Sequence, residues 1–263
     1  MGYTSLVVAT IVAWLASRET SVLAFAALTL LLVSLHVVTY GRVRDVHMDL
    51  RAAYQQIESM FSMFSVLELN RPLPPMRGYA VRPDFGNLLI RAIYEHRPRL
   101  VVEAGSGTST ILIAYCLKQL GTGRLVALEH VSDFAIASRR ELASHGLQDV
   151  AVVRHAPLRQ LEIRGRACRW YDPEQVRDLA VVDMVVVDGP PAHVSPLARY
   201  PAVPLLFPVL RDGAVIVLDD GKRRDERETV RLWKQEYGCL EVEHPDTEKG
   251  ATVLRLEKDG KPE

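Results

Sequence analysis

Only three cysteines occur in the 263 residues, Cys116, Cys168 and Cys239, and no two of them form a C-x-x-C pair. An odd, scattered set argues against both a disulfide framework and a zinc cluster, and reads as small buried hydrophobes in a reducing compartment. Net charge is also missing: 32 basic and 32 acidic residues cancel to +0. Without a basic excess there is no footprint for neutralising phosphates, so DNA and RNA are not expected partners. Nor is there an internal repeat or a low-complexity stretch.

Charge is scarcest at the N-terminus. From Tyr3 to Tyr40 only Arg18 and Glu19 are ionic, and they divide an apolar stretch in two. Val22 to Tyr40 matches the ~20 residues that cross a hydrocarbon core as a helix, whereas Tyr3 to Ala16 is shorter. Residues 1–40 are therefore expected to be a membrane anchor, either a transmembrane helical hairpin or one span preceded by an interfacial helix. No basic residue precedes the first apolar run, so a cleaved signal peptide fits poorly. Arg42, Arg44 and Arg51 just beyond the anchor place the rest of the chain on the cytoplasmic side of the membrane.

Residues 41–75 read as an amphipathic connecting helix and a linker. Val43, Val46, Leu50, Ala53, Ile57, Met60, Phe61, Phe64 and Leu67 recur mostly at helical steps. Such a face over residues 42–67 either joins the anchor to a domain or pairs with a copy of itself in a homo-oligomer. The prolines at 72, 74 and 75 then break the helix and stiffen the chain.

Residues 76–257 alternate short aliphatic runs with longer amphipathic ones, the pattern of a parallel sheet covered by helices on both faces. Strands are expected near Leu100–Ala104, Leu125–Glu129, Val150–Arg154, Met184–Asp188 and Ala214–Asp219. Helices are expected at about Pro83–Glu95, Thr110–Gln119, Ser132–Ser144, Asp172–Leu179, Ala198–Leu210 and Arg224–Glu236. Leu240–Glu243 and Thr252–Leu256 form an antiparallel pair at one edge, completing seven strands. Residues 258–263 are expected to be a loose tail.

The first strand runs into Glu103-Ala104-Gly105-Ser106-Gly107-Thr108. Ligands of open α/β sheets sit where such a strand turns into its helix. Glycines there let backbone approach a ligand, and the free amides at Thr108, Ser109 and Thr110 suit an anionic group. Thr110 stands where a dinucleotide fingerprint would carry its third glycine, and no Gly-Lys-Ser/Thr follows to make a P-loop. Glu129 ends the second strand, at the distance where an acid meets ribose hydroxyls. Asp188, Asp219 and Asp220 end the fourth and fifth strands, and three such carboxylates together are costly unless solvent, a cation or a proton intervenes.

With these residues, the region from about Arg77 to Leu256 resembles a class I S-adenosylmethionine (SAM)-dependent methyltransferase of the bacterial small-molecule O-methyltransferase kind. The resemblance implies a Rossmann-like seven-stranded α/β sheet. It implies that Glu103, Gly105, Ser106, Gly107 and Thr108 cradle the methionine part of SAM and that Glu129, with His130, holds the ribose. Ala156 and Pro157 would then lie near adenine, and Asp188 would border the cofactor. Catechol-type relatives hold Mg2+ on an Asp and an Asp-Asn pair, which here become Asp188, Asp219 and Asp220. Their catalytic lysine would fall at Pro191, leaving Asp188 and His193 as the catalytic candidates.

Trp170-Tyr171-Asp172 is placed either in an acceptor-pocket wall or in the core. Arg199 is placed either to meet an anionic acceptor or to pair with a strand-end acid. Tyr79 either closes over the cofactor or packs. The function these features imply is O-methylation of a small, glycan-like or lipid-linked acceptor by a membrane-anchored enzyme. The competing expectation is a non-catalytic module of the same fold that scaffolds a membrane complex.

Overall fold

A computed structural model describes residues 2–76, 78 and 80–258, apart from the side chains of residues 2–5, 19, 20 and 240–242. Tyr79 and the tail beyond Lys258 thus lie outside the described residues. The chain divides into two units, Met1–Tyr54 and Gln55–Glu263.

The described residues of the first unit are all helical. Helix α1 runs unbroken over Gly2–Val66, so the hairpin expected at residues 17–21 does not form. The reason is local. No proline occurs before Pro72, and a single Arg-Glu pair of good helix formers costs a helix too little to turn it. An 18-residue window within Leu6–Val66 reaches a mean hydropathy of 2.4, and none of it is buried, so the helix is long and apolar enough to cross a membrane.

In the second unit, the last turns of α1 present Met63 and, just beyond the helix, Leu67 to the domain core, while Ile57, Phe61 and Phe64 remain exposed. Most of the periodic apolar face is therefore exposed, and the attachment is made by Leu67 of that series together with Met63, which lies outside it.

The sheet that follows has the strand order β3-β2-β1-β6-β7-β9-β8. Its members are β1 (Leu100–Ala104), β2 (Arg124–Glu129), β3 (Ala151–His155), β6 (Val182–Val187), β7 (Leu210–Asp219), β8 (Cys239–Glu243) and β9 (Ala251–Leu256). The first five run parallel, and β9 joins β7 antiparallel with β8 outside it. All seven strands correspond to expected ones.

Alternation along the strands builds two cores. Val101, Ala127, Met184 and Val215 pack beneath α2 (Pro83–His96), α3 (Thr108–Leu120) and α4 (Ser132–Ser144). Val102, Val126, Val185 and Ile216 pack on the other face against α5 (Ala202–Leu206) and α6 (Arg224–Tyr237).

Three segments depart from expectation. The helix read over Ala198–Leu210 shrinks to α5, since Pro204 and Pro208 lack the amides a longer helix needs. The helix read over Asp172–Leu179 is one 3-10 turn, Pro173–Val176, capped by Asp172. Between β3 and that turn an unforeseen antiparallel hairpin forms from β4 (Leu158–Ile163) and β5 (Arg166–Tyr171). It places Trp170 and Tyr171 in a strand, both buried in the second core.

Candidate functional site

Strand order brings the C-terminal ends of β2, β1, β6 and β7 side by side. At the end of β1 the chain turns through Gly105, whose φ of 124° favours glycine, and whose amide donates to Leu128 O across β2 at 3.0 Å. This turn opens directly into α3.

Glu103 is fully buried beneath the turn. The Thr110 hydroxyl donates to its Oε2 at 2.7 Å and accepts from the Gly107 amide at 2.9 Å, so the first turn of α3 and the strand end are tied through one side chain. Oε1 of Glu103 is buried with no hydrogen-bond partner among the described residues. Burial pushes this carboxyl up to about 7, against the lowering effect of the Ser109 and Thr110 hydroxyls.

Glu129, at the end of β2, is better satisfied. It accepts from the Val131 amide at 3.0 Å and the Ser106 hydroxyl at 3.1 Å, and His130 Nδ1 lies 3.1 Å from its Oε1. Burial pushes its carboxyl up, but His130, the Val131 amide and Ser106 together hold it below the usual range. Ser106, in the turn after β1, also bonds Ser138 of α4 at 2.9 Å, a link between residues 32 positions apart that local sequence pattern does not encode. After β3, the Ala156 amide donates to Glu129 O at 2.7 Å, which sets Ala156 beside the acid, with Pro157 next in line and half-buried.

At the end of β6, the amides of Asp188 and Gly189 both donate to Ala104 O, drawing that turn against β1. Gly189 has no room for a side chain, because a Cβ there would collide with the Tyr171 hydroxyl. Tyr171 is 1% exposed, and its ring meets His130 edge-on at 6.0 Å. Burial, followed by Glu129 and Asp188, raises this phenol well above its usual value, so it stays protonated.

Asp188, Asp219 and Asp220 converge, with one carboxylate oxygen from each within 4.8 Å of the others. Arg199, 4% exposed, stands among them. It donates from Nη2 to Asp220 Oδ2 at 2.7 Å, to Asp188 O at 2.7 Å and to Asp188 Oδ1 at 3.3 Å, and from Nη1 to Asp219 O at 2.7 Å. Of the two expectations for Arg199, the strand-end ion pair is the one observed. Arg223 adds a second contact to Asp220 Oδ2 at 2.8 Å. Burial raises Asp188 to about 6 against the lowering effect of Arg199, with Asp220 adding to the rise, while burial and the neighbouring Asp188 and Asp220 raise Asp219 to about 8.

His193 is not drawn into this cluster. It lies exposed on the 3-10 turn Ala192–Val194 and makes no hydrogen bond among the described residues. It follows Asp188 closely along the chain, but Pro190 and Pro191 intervene and His193 is exposed.

Residues 102–221 match the model of a methyltransferase domain family. This match supports a SAM-dependent methyltransferase. No curated protein matches the chain in sequence. Among solved structures, the SAH-bound methyltransferase PaMTH1 of Podospora anserina superposes with a TM-score of 0.54 at 14% identity, over 77% of this chain and 87% of that one. The cofactor-bound Rv0187 from MTB gives 0.51 at 20% identity, over 80% and 91%. At such identities the likeness shows a shared methyltransferase-type fold.

Proposed function

We propose that this chain is a SAM-dependent O-methyltransferase held in a membrane by α1, with its catalytic unit on the cytoplasmic side, acting on a hydroxyl of a small, glycan-like or lipid-linked acceptor. The observation that carries the reading is Glu103: a fully buried carboxylate with one unpaired oxygen, at the turn where this fold takes its ligand. A buried acid with an open oxygen either holds a proton or meets a cation, and the methionine ammonium of SAM is such a cation.

The remaining residues fit the same molecule. Gly105, Ser106, Gly107 and Thr108 supply a glycine turn for the methionine part to lie against, its shape held by the bonds of the Gly105 and Gly107 amides to Leu128 O and the Thr110 hydroxyl. Glu129, already ionised by its neighbours, would accept from ribose hydroxyls, with His130 alongside and Ala156 and Pro157 at the adenine end. Bound SAM would supply a methyl group on a good leaving group. The protein's share is then to align the acceptor oxygen and take its proton. Asp188, 20% exposed at its side chain, is the acid of the trio open to an incoming acceptor, and His193 on the adjacent turn is the alternative base.

The anchor supports the lipid-linked acceptor, since tethering raises the local concentration of an enzyme near a membrane-embedded substrate. One feature favours the competing scaffold reading: Pro191 occupies the position at which the resembling enzymes carry a catalytic lysine.

Calorimetry of the detergent-solubilised full chain with S-adenosylhomocysteine separates the two. Binding that Glu103→Gln weakens is expected, and a chain that binds neither SAM nor its demethylated product is a scaffold. Removal of residues 1–40 is expected to release the protein from vesicles and to depress turnover on membrane acceptors; full activity there would refute the role of the anchor.

A further inference from the structure

Asp188, Asp219 and Asp220 have the composition of a divalent-cation site, but their surroundings do not fit one. Each of the three residues is bonded by the same guanidinium: Asp220 through Oδ2, Asp188 through its carbonyl and Oδ1, Asp219 through its carbonyl. Asp220 Oδ2 also receives Arg223, and Lys249 Nζ lies 3.9 Å from Asp220 Oδ1, so both oxygens of that carboxylate already face protein cations.

Arg199 is not a mobile surface group that could swing aside. It is 4% exposed, sits two residues after Leu197 in the left-handed region, and is followed by the fully buried Tyr200. Its Nε faces Glu226 at 3.8 Å. An arginine remains charged at any accessible pH, and its planar fork suits several oxygens at once. A metal ion entering the trio would have to displace these bonds and then sit against a fixed positive charge.

We infer that Arg199 is the resident cation of this site, filling the place a divalent ion would take among Asp188, Asp219 and Asp220, and that it is a positioning residue for methyl transfer. It holds the ends of β6 and β7 in register and carries positive charge where the acceptor oxygen approaches. This rests on reading these strand ends as the transfer site; the cation it names can be tested without that reading.

The test is Mn2+ binding, followed by electron paramagnetic resonance on chelator-treated full chain in detergent. Wild type and Asp219→Asn are expected to bind Mn2+ alike. Arg199→Met, which keeps length and loses charge, is expected to bind it at least about tenfold more tightly. That gain should vanish when Asp219→Asn is added, and Mn2+ should raise the melting temperature of Arg199→Met alone.

A wild-type Mn2+ site abolished by Asp219→Asn overturns the inference, as does a folded Arg199→Met without the gain. Where Arg199→Met does not fold, the comparison of wild type with Asp219→Asn decides alone. Titration of the same preparations with S-adenosylhomocysteine reports separately on the proposed function. A merely structural arginine would alter stability but would create no metal site.

Discussion

The Thr110 hydroxyl donates to Glu103 Oε2 at 2.7 Å while accepting from the Gly107 amide at 2.9 Å. One oxygen of a buried acid is thereby fixed, and the other has no hydrogen-bond partner among the described residues. Thr110→Val keeps the shape and removes the bond. A hydrogen bond to a charged group contributes about 1.5–3 kcal/mol, so affinity for S-adenosylhomocysteine should fall at least about tenfold. Thr110→Ser should restore most of it. Equal affinity of Thr110→Val and wild type in calorimetry would detach Thr110 from the site.

The acidity of Glu103 predicts a pH dependence. Its pKa of about 7 exceeds the ordinary 4.5, so between these values the folded chain keeps a proton that the unfolded chain releases. This group's contribution to stability therefore declines as pH rises from about 4.5 to about 7 and is level above. Glu129, shifted the other way, contributes stability that is lost as pH falls through its lowered pKa. If Glu103 pairs with the cofactor's ammonium as proposed, binding needs it ionised, so affinity should rise toward about pH 7 and then level off, with proton release on binding below it. Calorimetry in buffers of different ionisation enthalpy reads that release, and Glu103→Gln should abolish it. No proton release near pH 6 in wild type would contradict the assignment.

Gly189 predicts a paired effect. A methyl group there would strike the Tyr171 hydroxyl and lie 3.2 Å from Ala104 O. Gly189→Ala should destabilise the unit by about 1–3 kcal/mol, the usual scale of overpacking. Tyr171→Phe, which removes the struck oxygen, should recover part of that loss, giving a coupling of about 0.5 kcal/mol or more in a double-mutant cycle. Simple additivity in denaturant titrations would mean the clash lies elsewhere.

Met63 predicts a contrast between two neighbours on one helix. It is fully buried in the domain core, whereas Ile57 is 50% exposed. Met63→Ala should cost about 2–5 kcal/mol, with cavity formation adding to lost burial. Ile57→Ala in detergent should stay within about 0.5 kcal/mol of wild type. A comparable loss at both positions in urea unfolding would show that Ile57 also has a partner.

How far the sequence carried the fold depends on the range of the interactions involved. The runs at Leu100–Ala104 and Ser132–Ser144 matched observed elements residue for residue, because period and capping are set by near neighbours. The β4–β5 hairpin was not legible: its second strand, Arg166-Ala167-Cys168-Arg169-Trp170-Tyr171, mixes charge and aromatics without clean alternation. The unbroken course of α1 was misread because the break was inferred from charge, while a helix ends on proline, glycine or a cap.

At the candidate site, the turn was legible from neighbouring residues alone: Glu103 two residues before Gly105, Thr110 in place of a third glycine, Glu129 one strand later. These are short-range facts of a strand entering a helix. Chain packing, by contrast, sets Arg199 among Asp188, Asp219 and Asp220, Ser138 behind Ser106, and Tyr171 over Gly189. Those contacts join residues brought together by strand order and crossover path, and local periodicity does not encode which buried charges will meet.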